Sequence, residues 1–251
     1  MKKKIEKIGR VLDASRIGRA ARRLLRSRRP GCAAHRTPPG GKFEVDNWMI
    51  SDLVMRKIVP VADIHPFPVS ELALMASAVC GVRPTHIFEW GTHIGKSARV
   101  FYETVRYFGI PAEIHSIDLP DEAEHEEHPR HRRGELVRRL KGVHLHQGDG
   151  LEVSRRICEN LSPDTRTLFF LDGDHSYASV KRELSYITEH FPAAAVLIHD
   201  TFYQVAASNY NIGPYQAVEE ALAVHPGAYE RIDVRTGLPG MTFIYPQKIF
   251  A

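Results

Sequence analysis

Residues 85–97 read THIFEWGTHIGKS. A short apolar run, His86, Ile87 and Phe88, ends in Glu89. The chain then breaks at Gly91 and Gly95 before a helix-like segment. This is the pattern of a strand, a glycine-rich turn and a helix N-terminus. Glycine has no Cβ and tolerates unusual backbone angles, so such a junction lets a ligand approach bare backbone.

Strand and helix patterns alternate downstream. Candidate strands are 86–89, 113–118, 143–147, 167–172 and 194–199. Candidate helices are 96–108, 134–140, 151–160 and 180–190. That alternation predicts an α/β fold with a mainly parallel sheet. The C-terminal part differs: a helix over 215–224, then strands 229–234 and 241–245 joined by TGLPG, a closing hairpin with one antiparallel strand. Upstream, a helix is expected over 70–79, with Ser70 as N-cap and Gly81 as stop. Trp48, Met49, Ile50, Leu53, Val54 and Ile58 suggest another helix, ending before Pro60. It reads as a cover over the substrate side or as a helix packed on the core.

The chain divides into an arm and linker (1–41), a cover segment (42–68) and a main domain (69–251). Its 251 residues are 43% hydrophobic, enough for one large domain with an appendage. No apolar run reaches the roughly 18 residues that a membrane-spanning helix needs. Cys32, Cys80 and Cys158 are sparse and odd in number, which points to a reducing, cytoplasmic setting. The net charge of +4 is local, since residues 2–29 hold twelve Lys or Arg against Glu6 and Asp13. The remainder is net acidic, so the main domain is not expected to bind nucleic acid. Within 1–29, Ile5, Ile8, Leu12, Ile17, Leu24 and Leu25 recur at helical spacing among basic residues. A solvated or partner-bound helix and peripheral docking on an anionic membrane face both fit, a removable targeting peptide less well. A homo-oligomer is left open. Residues 30–41, PGCAAHRTPPGG, form the linker.

Ligands of such folds bind at the carboxyl ends of the strands. There the sequence places Glu89, Asp118, Asp149, Asp172, Asp174, His199 and Asp200. One Asp at a strand end is often a helix cap, but a row of acids is harder to dismiss. Asp118 suits ribose hydroxyls, while the spacing Gly91-x-x-x-Gly95 is not the dinucleotide pattern. Asp172 and His199-Asp200 end strands expected to be neighbours about 4.8 Å apart, so the three can share one divalent ion. Carboxylates favour Mg²⁺ or Mn²⁺, and a His ligand shifts the balance towards Mn²⁺ or Fe²⁺. Asp174 then stands as general base, or else Asp172 and Asp174 merely cap the next helix. His125, His128 and His131 read as a charged lid loop rather than a zinc site.

Glu89-x-Gly91-x-x-x-Gly95-x-Ser97, Asp118, the stretch LDGDHSY at 171–177 and IHDT at 198–201 resemble class I S-adenosylmethionine-dependent methyltransferases. The nearest group is the metal-dependent macrocin and sugar O-methyltransferases, over about residues 69–246. The resemblance implies a Rossmann-like, doubly wound, seven-stranded sheet with a reversed last strand. It implies that Glu89, Gly91, Gly95 and Ser97 line the methionine end of S-adenosylmethionine, with Asp118 at the ribose, Asp149 near the adenine and Asp172 beside the cofactor. Asp172, His199 and Asp200 match the metal positions, and Asp174 the base. His199 stands where some members carry Asp, and Trp90 is bulkier than the usual residue in the turn. The implied activity is methyl transfer to a hydroxyl of a small molecule such as a sugar, glycoside or natural product, with a divalent metal assisting. Asn209, Tyr210, Asn211 and Tyr215 would shape the acceptor pocket. The same residues, with Gly213-Pro214 and Glu219-Glu220, also resemble cephalosporin-hydroxylase-like proteins. A membrane-docked binding protein without activity is the non-enzyme alternative.

Overall fold

The computed structural model describes residues 43–125, 129–162, 164–204 and 208–250. The basic arm, the linker and His128 lie outside them. The described residues belong to one compact unit, Arg36–Ala251.

Strands β1 (His86–Trp90), β2 (Glu113–Asp118), β3 (Val143–Gln147), β4 (Thr167–Leu171), β5 (Ala195–His199), β6 (Tyr229–Val234) and β7 (Met241–Pro246) form one sheet in the order β3-β2-β1-β4-β5-β7-β6. The first five are parallel, and β7 runs antiparallel between β5 and β6. This is the doubly wound, mainly parallel sheet with a C-terminal antiparallel hairpin. Strand order reverses between β1 and β4, which puts a ligand crevice at their carboxyl ends.

Period-two alternation sorts each strand's side chains between two layers. Ile87 packs with helices α3 (Val69–Val82) and α4 (Lys96–Phe108), whereas Phe88 and Trp90 pack with α5 (Gly150–Cys158), α6 (Tyr177–His190) and α7 (Gly213–Val224). Strands β4 and β5 are buried along their whole length, which is why TLFFL and AVLIH are nearly all apolar. Edge strand β3, VHLHQ, is exposed or half-buried throughout and is accordingly the more polar strand.

Three local expectations fail for tertiary reasons. The N-terminal helix α1 (Asn47–Leu53) does not stop before Pro60. It passes through a π-helical stretch (Val54–Ile58) into α2 (Val59–Ala62), where Pro60 sits in a first turn that needs no N–H donor. Gly81 lies inside α3 rather than after it, because a Cβ there would run into the Phe43 ring; Pro68, not Ser70, precedes the helix. Residues 134–140 form successive turns rather than a helix. The N–H of Gly134 donates to the His93 carbonyl (2.8 Å) and that of Leu136 to Ile94 (3.1 Å), which pulls the segment onto the glycine turn.

Candidate active site

The turn after β1 is shaped by what lies against it. Gly91 has φ 102°, and a Cβ there would overlap the Asp172 carbonyl oxygen. The Gly91 N–H donates to Ile117 O (2.8 Å), and the Asp172 N–H donates to Trp90 O (3.0 Å). The turn is therefore clamped between the ends of β2 and β4. Gly95, at φ 89°, opens α4 and leaves room for Val137. Trp90 points away into the other layer. Its ring lies against Gly150, and Nε1 donates to Ser154 Oγ (2.8 Å).

Beneath the turn, Glu89 is fully buried. Ser97 Oγ donates to Oε1 (2.7 Å), while Oε2 has no partner. Burial pushes its carboxyl up to about 8; the Ser97 hydroxyl opposes the rise and Asp172 adds to it. A bare oxygen on a buried carboxylate is a place for a donor supplied by a ligand. Asp118 accepts from the N–H groups of His93 (2.9 Å) and Leu119 (2.8 Å), so it holds the far side of the same turn. Asp149 is differently engaged. It caps α5 through the Glu152 N–H (3.1 Å) and pairs with Arg182 (2.6 Å).

One strand over, β4 and β5 bring carboxylates and imidazoles together. His199 is 4% exposed and lies between two acids, with Nδ1 2.7 Å from Asp172 Oδ1 and Nε2 3.2 Å from Glu71 Oε2. Burial alone would lower its pKa, but Asp172 and Glu71 outweigh burial and hold it near 10. His175 stands at the mouth, with Nε2 4.0 Å from Asp172 Oδ1 and Nδ1 3.3 Å from Asp200 Oδ2. Asp172, His175 and His199 have ligand atoms within 4.8 Å of one another, the one such metal-competent group among the described residues. Asp200, in left-handed backbone at φ 56°, borders it and accepts from the Tyr210 hydroxyl (3.2 Å).

Of the three expected metal ligands, Asp172 and His199 fall in the donor group together with His175, and Asp200 lies beside it, 3.9 Å from His199 Nδ1 through Oδ1. Asp174 is not free. It accepts from the Ser176 N–H (2.9 Å), Ser176 Oγ (3.0 Å) and Ser179 Oγ (2.5 Å), and the Ser179 bond leads in holding its carboxyl below the ordinary range. Glu71 went unnoticed in the sequence, where it is an ordinary first-turn acid of a helix. His175 was legible within LDGDHSY but carried no role. Asn211 Nδ2 donates to His175 O (2.6 Å), and Tyr215 lies 5.0 Å from Tyr203 between ring centroids.

Residues 88–201 match the model of a methyltransferase domain. In this stretch the chain is similar to methyltransferase domains. The match runs from β1 to the end of β5 and so includes both the glycine turn and the donor group. No curated protein sequence matches the chain. Among solved structures, an O-methyltransferase from Bacillus cereus in complex with S-adenosylhomocysteine superposes with TM-score 0.53 at 13% identity, covering 80% of this chain and 92% of that one. A provisionally assigned O-methyltransferase from Klebsiella pneumoniae gives TM-score 0.52 at 15% identity, covering 78% and 89%. At these identities the methyltransferase neighbours speak for the fold. Chemistry has to come from the site.

Proposed function

We propose that the protein transfers the methyl group of S-adenosylmethionine to a hydroxyl of a small molecule, assisted by a divalent ion. One observation carries this reading: the glycine turn and the donor group share backbone contacts, Gly91 lying against the Asp172 carbonyl and Asp172 N–H bonded to Trp90. A methyl donor seated on the turn is thereby adjacent to a group that can hold an acceptor's oxygens.

The residues present fit both groups. The bare Glu89 Oε2 suits the ammonium of the methionine end, with Ser97 fixing the carboxylate. Gly91 and Gly95 offer bare backbone, and Asp118 retains acceptor capacity for ribose hydroxyls. Asp149 is spent on its cap and ion pair, so we assign it to the wall near the adenine rather than to a direct bond. Asp172, His175 and His199 form a mixed carboxylate–imidazole set suited to Mn²⁺ or Mg²⁺. Glu71 would fix the His199 ring from behind, as carboxylates do for ligating histidines. Such an ion would lower the pKa of an acceptor hydroxyl.

For the proton, Asp200 replaces Asp174. Asp174 accepts three hydrogen bonds, which hold its carboxyl below the ordinary range and make it a weak base. Asp200 is a quarter exposed and borders the donor group with Oδ2 facing His175. Positioning of hydroxyl and methyl in line then supplies much of the rate. Tyr210 borders the donor group through Asp200, and we assign it, with the Tyr203–Tyr215 ring pair, to the acceptor side, which suits a ring-bearing polyol.

Calorimetry with S-adenosylhomocysteine tests the reading first. We expect one site per chain, and no binding to the wild-type protein would remove it. With methyl-labelled S-adenosylmethionine and a panel of sugars, glycosides and phenols, product mass spectra should then show the label on oxygen. Asp200→Asn should lower kcat about 10²- to 10⁴-fold with unchanged cofactor affinity, and Asp174→Ala less than tenfold. The reverse order would return the base to Asp174.

A further inference from the structure

Ten large apolar side chains are exposed among the described residues, and five of them fall in one short segment: Trp48, Met55, Val61, Ile64 and Val69. The other five are spread from Leu119 to Leu238. Apolar residues exposed singly need no explanation, whereas a concentration in one segment does. Helix geometry puts the first two on one face. Trp48 and Met55 are seven residues apart, about two turns, and are 88% and 57% exposed. Ile50, Leu53, Val54 and Ile58 are buried and already seat the helix in the main core, so packing has no use for the outer stripe. The same segment turns inward at Phe67, which is buried with its ring centroid 4.9 Å from that of His199. It therefore has an inner end on the donor group and an outer, apolar stripe in solvent.

We propose that this stripe docks on an anionic phospholipid surface, with Trp48 and Met55 entering the headgroup region and the basic residues of 2–29 supplying the attraction. The stripe itself is not basic. Asp46 caps α1, Asp52 pairs with Arg56 (2.7 Å) and accepts from the Tyr107 hydroxyl (3.2 Å), and Lys57 stands against Glu44 and Asp63. The charge lies just upstream in the chain. Residues 2–29 hold twelve Lys or Arg against Glu6 and Asp13, and the linker ends at Gly41, seven residues before Trp48. Apolar insertion and polybasic attraction are each weak alone and hold a protein at a membrane when they act together. An indole is also the side chain most at home at the boundary between water and lipid. An acidic protein partner would answer the basic residues but leave Trp48 without a role. A second copy of the chain would cover Trp48 but gain nothing from twelve cations. The proposal is independent of the methyl-transfer reading, and no substrate or cofactor enters its test.

The chain has two tryptophans, and Trp90 is buried with Nε1 bonded to Ser154, so a change of emission on adding vesicles reports Trp48. The full chain is titrated with phosphatidylcholine–phosphatidylglycerol vesicles, with binding measured in parallel by sedimentation. The expected result is a blue shift, quenching by brominated acyl chains, and release as salt rises. Trp48→Ser combined with Met55→Ser should lower the partition coefficient about tenfold. Its thermal midpoint should match the wild type, since both side chains are exposed. Trp48→Phe keeps an apolar ring and should bind nearly as well while losing the change of emission. No partitioning, equal partitioning onto phosphatidylcholine alone, or wild-type partitioning by the double variant would overturn the proposal. So would binding without a response from Trp48, which would confine docking to the basic arm. A blue shift that follows protein concentration in the absence of lipid would assign the stripe to a second copy instead.

Discussion

Glu89 shows how one residue can carry a measurable electrostatic signature. Burial raises its carboxyl from about 4.5 to about 8, because Ser97 satisfies only one oxygen. Between those two values the unfolded chain is ionised at this position while the folded chain keeps its proton. Stability of the ligand-free protein therefore falls as pH rises through that window, by up to about 1.4 kcal/mol per pH unit, and levels off above about 8. Glu89→Gln should flatten this component in urea midpoints measured from pH 5 to 9; equal slopes in both proteins would place the proton elsewhere. On the proposed function, an ammonium beside Glu89 draws the carboxyl down. Binding of S-adenosylhomocysteine near pH 7 should then release a proton, detected by calorimetry in buffers of different ionisation enthalpy. Gly91 is the steric counterpart. At φ 102° and against the Asp172 carbonyl, even a methyl group has no place. Gly91→Ala should lose about 2–4 kcal/mol in denaturant unfolding and weaken cofactor binding with it. A neutral substitution would mean that the turn is looser than its contacts imply.

At the scale of elements, α3 is tied to the sheet by one carboxylate. Glu71, 1% exposed, accepts from the Gly240 N–H (2.8 Å) through Oε1 and meets His199 Nε2 through Oε2. A helix, the end of β5 and the turn before β7 are thus joined. Glu71→Ala should destabilise by about 3–5 kcal/mol, since it strands a buried cationic ring and a buried N–H. Glu71→Gln keeps the shape and one acceptor and should lose less. Identical losses would mean that only packing matters. Elements whose signals are local were readable in the sequence. Strand 113–118 is bounded by turn residues, and helix 96–108 runs between Gly95 and Gly109, both left-handed caps. Elements governed by distant partners were not. Gly81 serves Phe43, and 134–140 answers to His93 and Ile94.

Across the whole molecule, the alternation of strands and helices made the parallel sheet legible, and the hairpin at 229–245 made its reversed strand legible. The row of acids was legible for the same reason, since carboxyl ends of adjacent parallel strands must meet. Neighbours in sequence proved less reliable than neighbours in space. Asp174 was read as a base because it follows Asp172 by two residues, yet its carboxylate is engaged by Ser176 and Ser179 at the start of the next helix, which Ser176 caps. Glu71 joins the site from 128 residues away, a distance that no local pattern encodes. The central claim is that the glycine turn and the donor group form one site, with a methyl donor on the first and an ion in the second. Anomalous diffraction from crystals soaked with Mn²⁺ and S-adenosylhomocysteine tests both halves at once. The account predicts a manganese peak among Asp172, His175 and His199 and the ligand's amino group against Glu89. A ligand bound away from Gly91, or no manganese peak among these three residues, would contradict it.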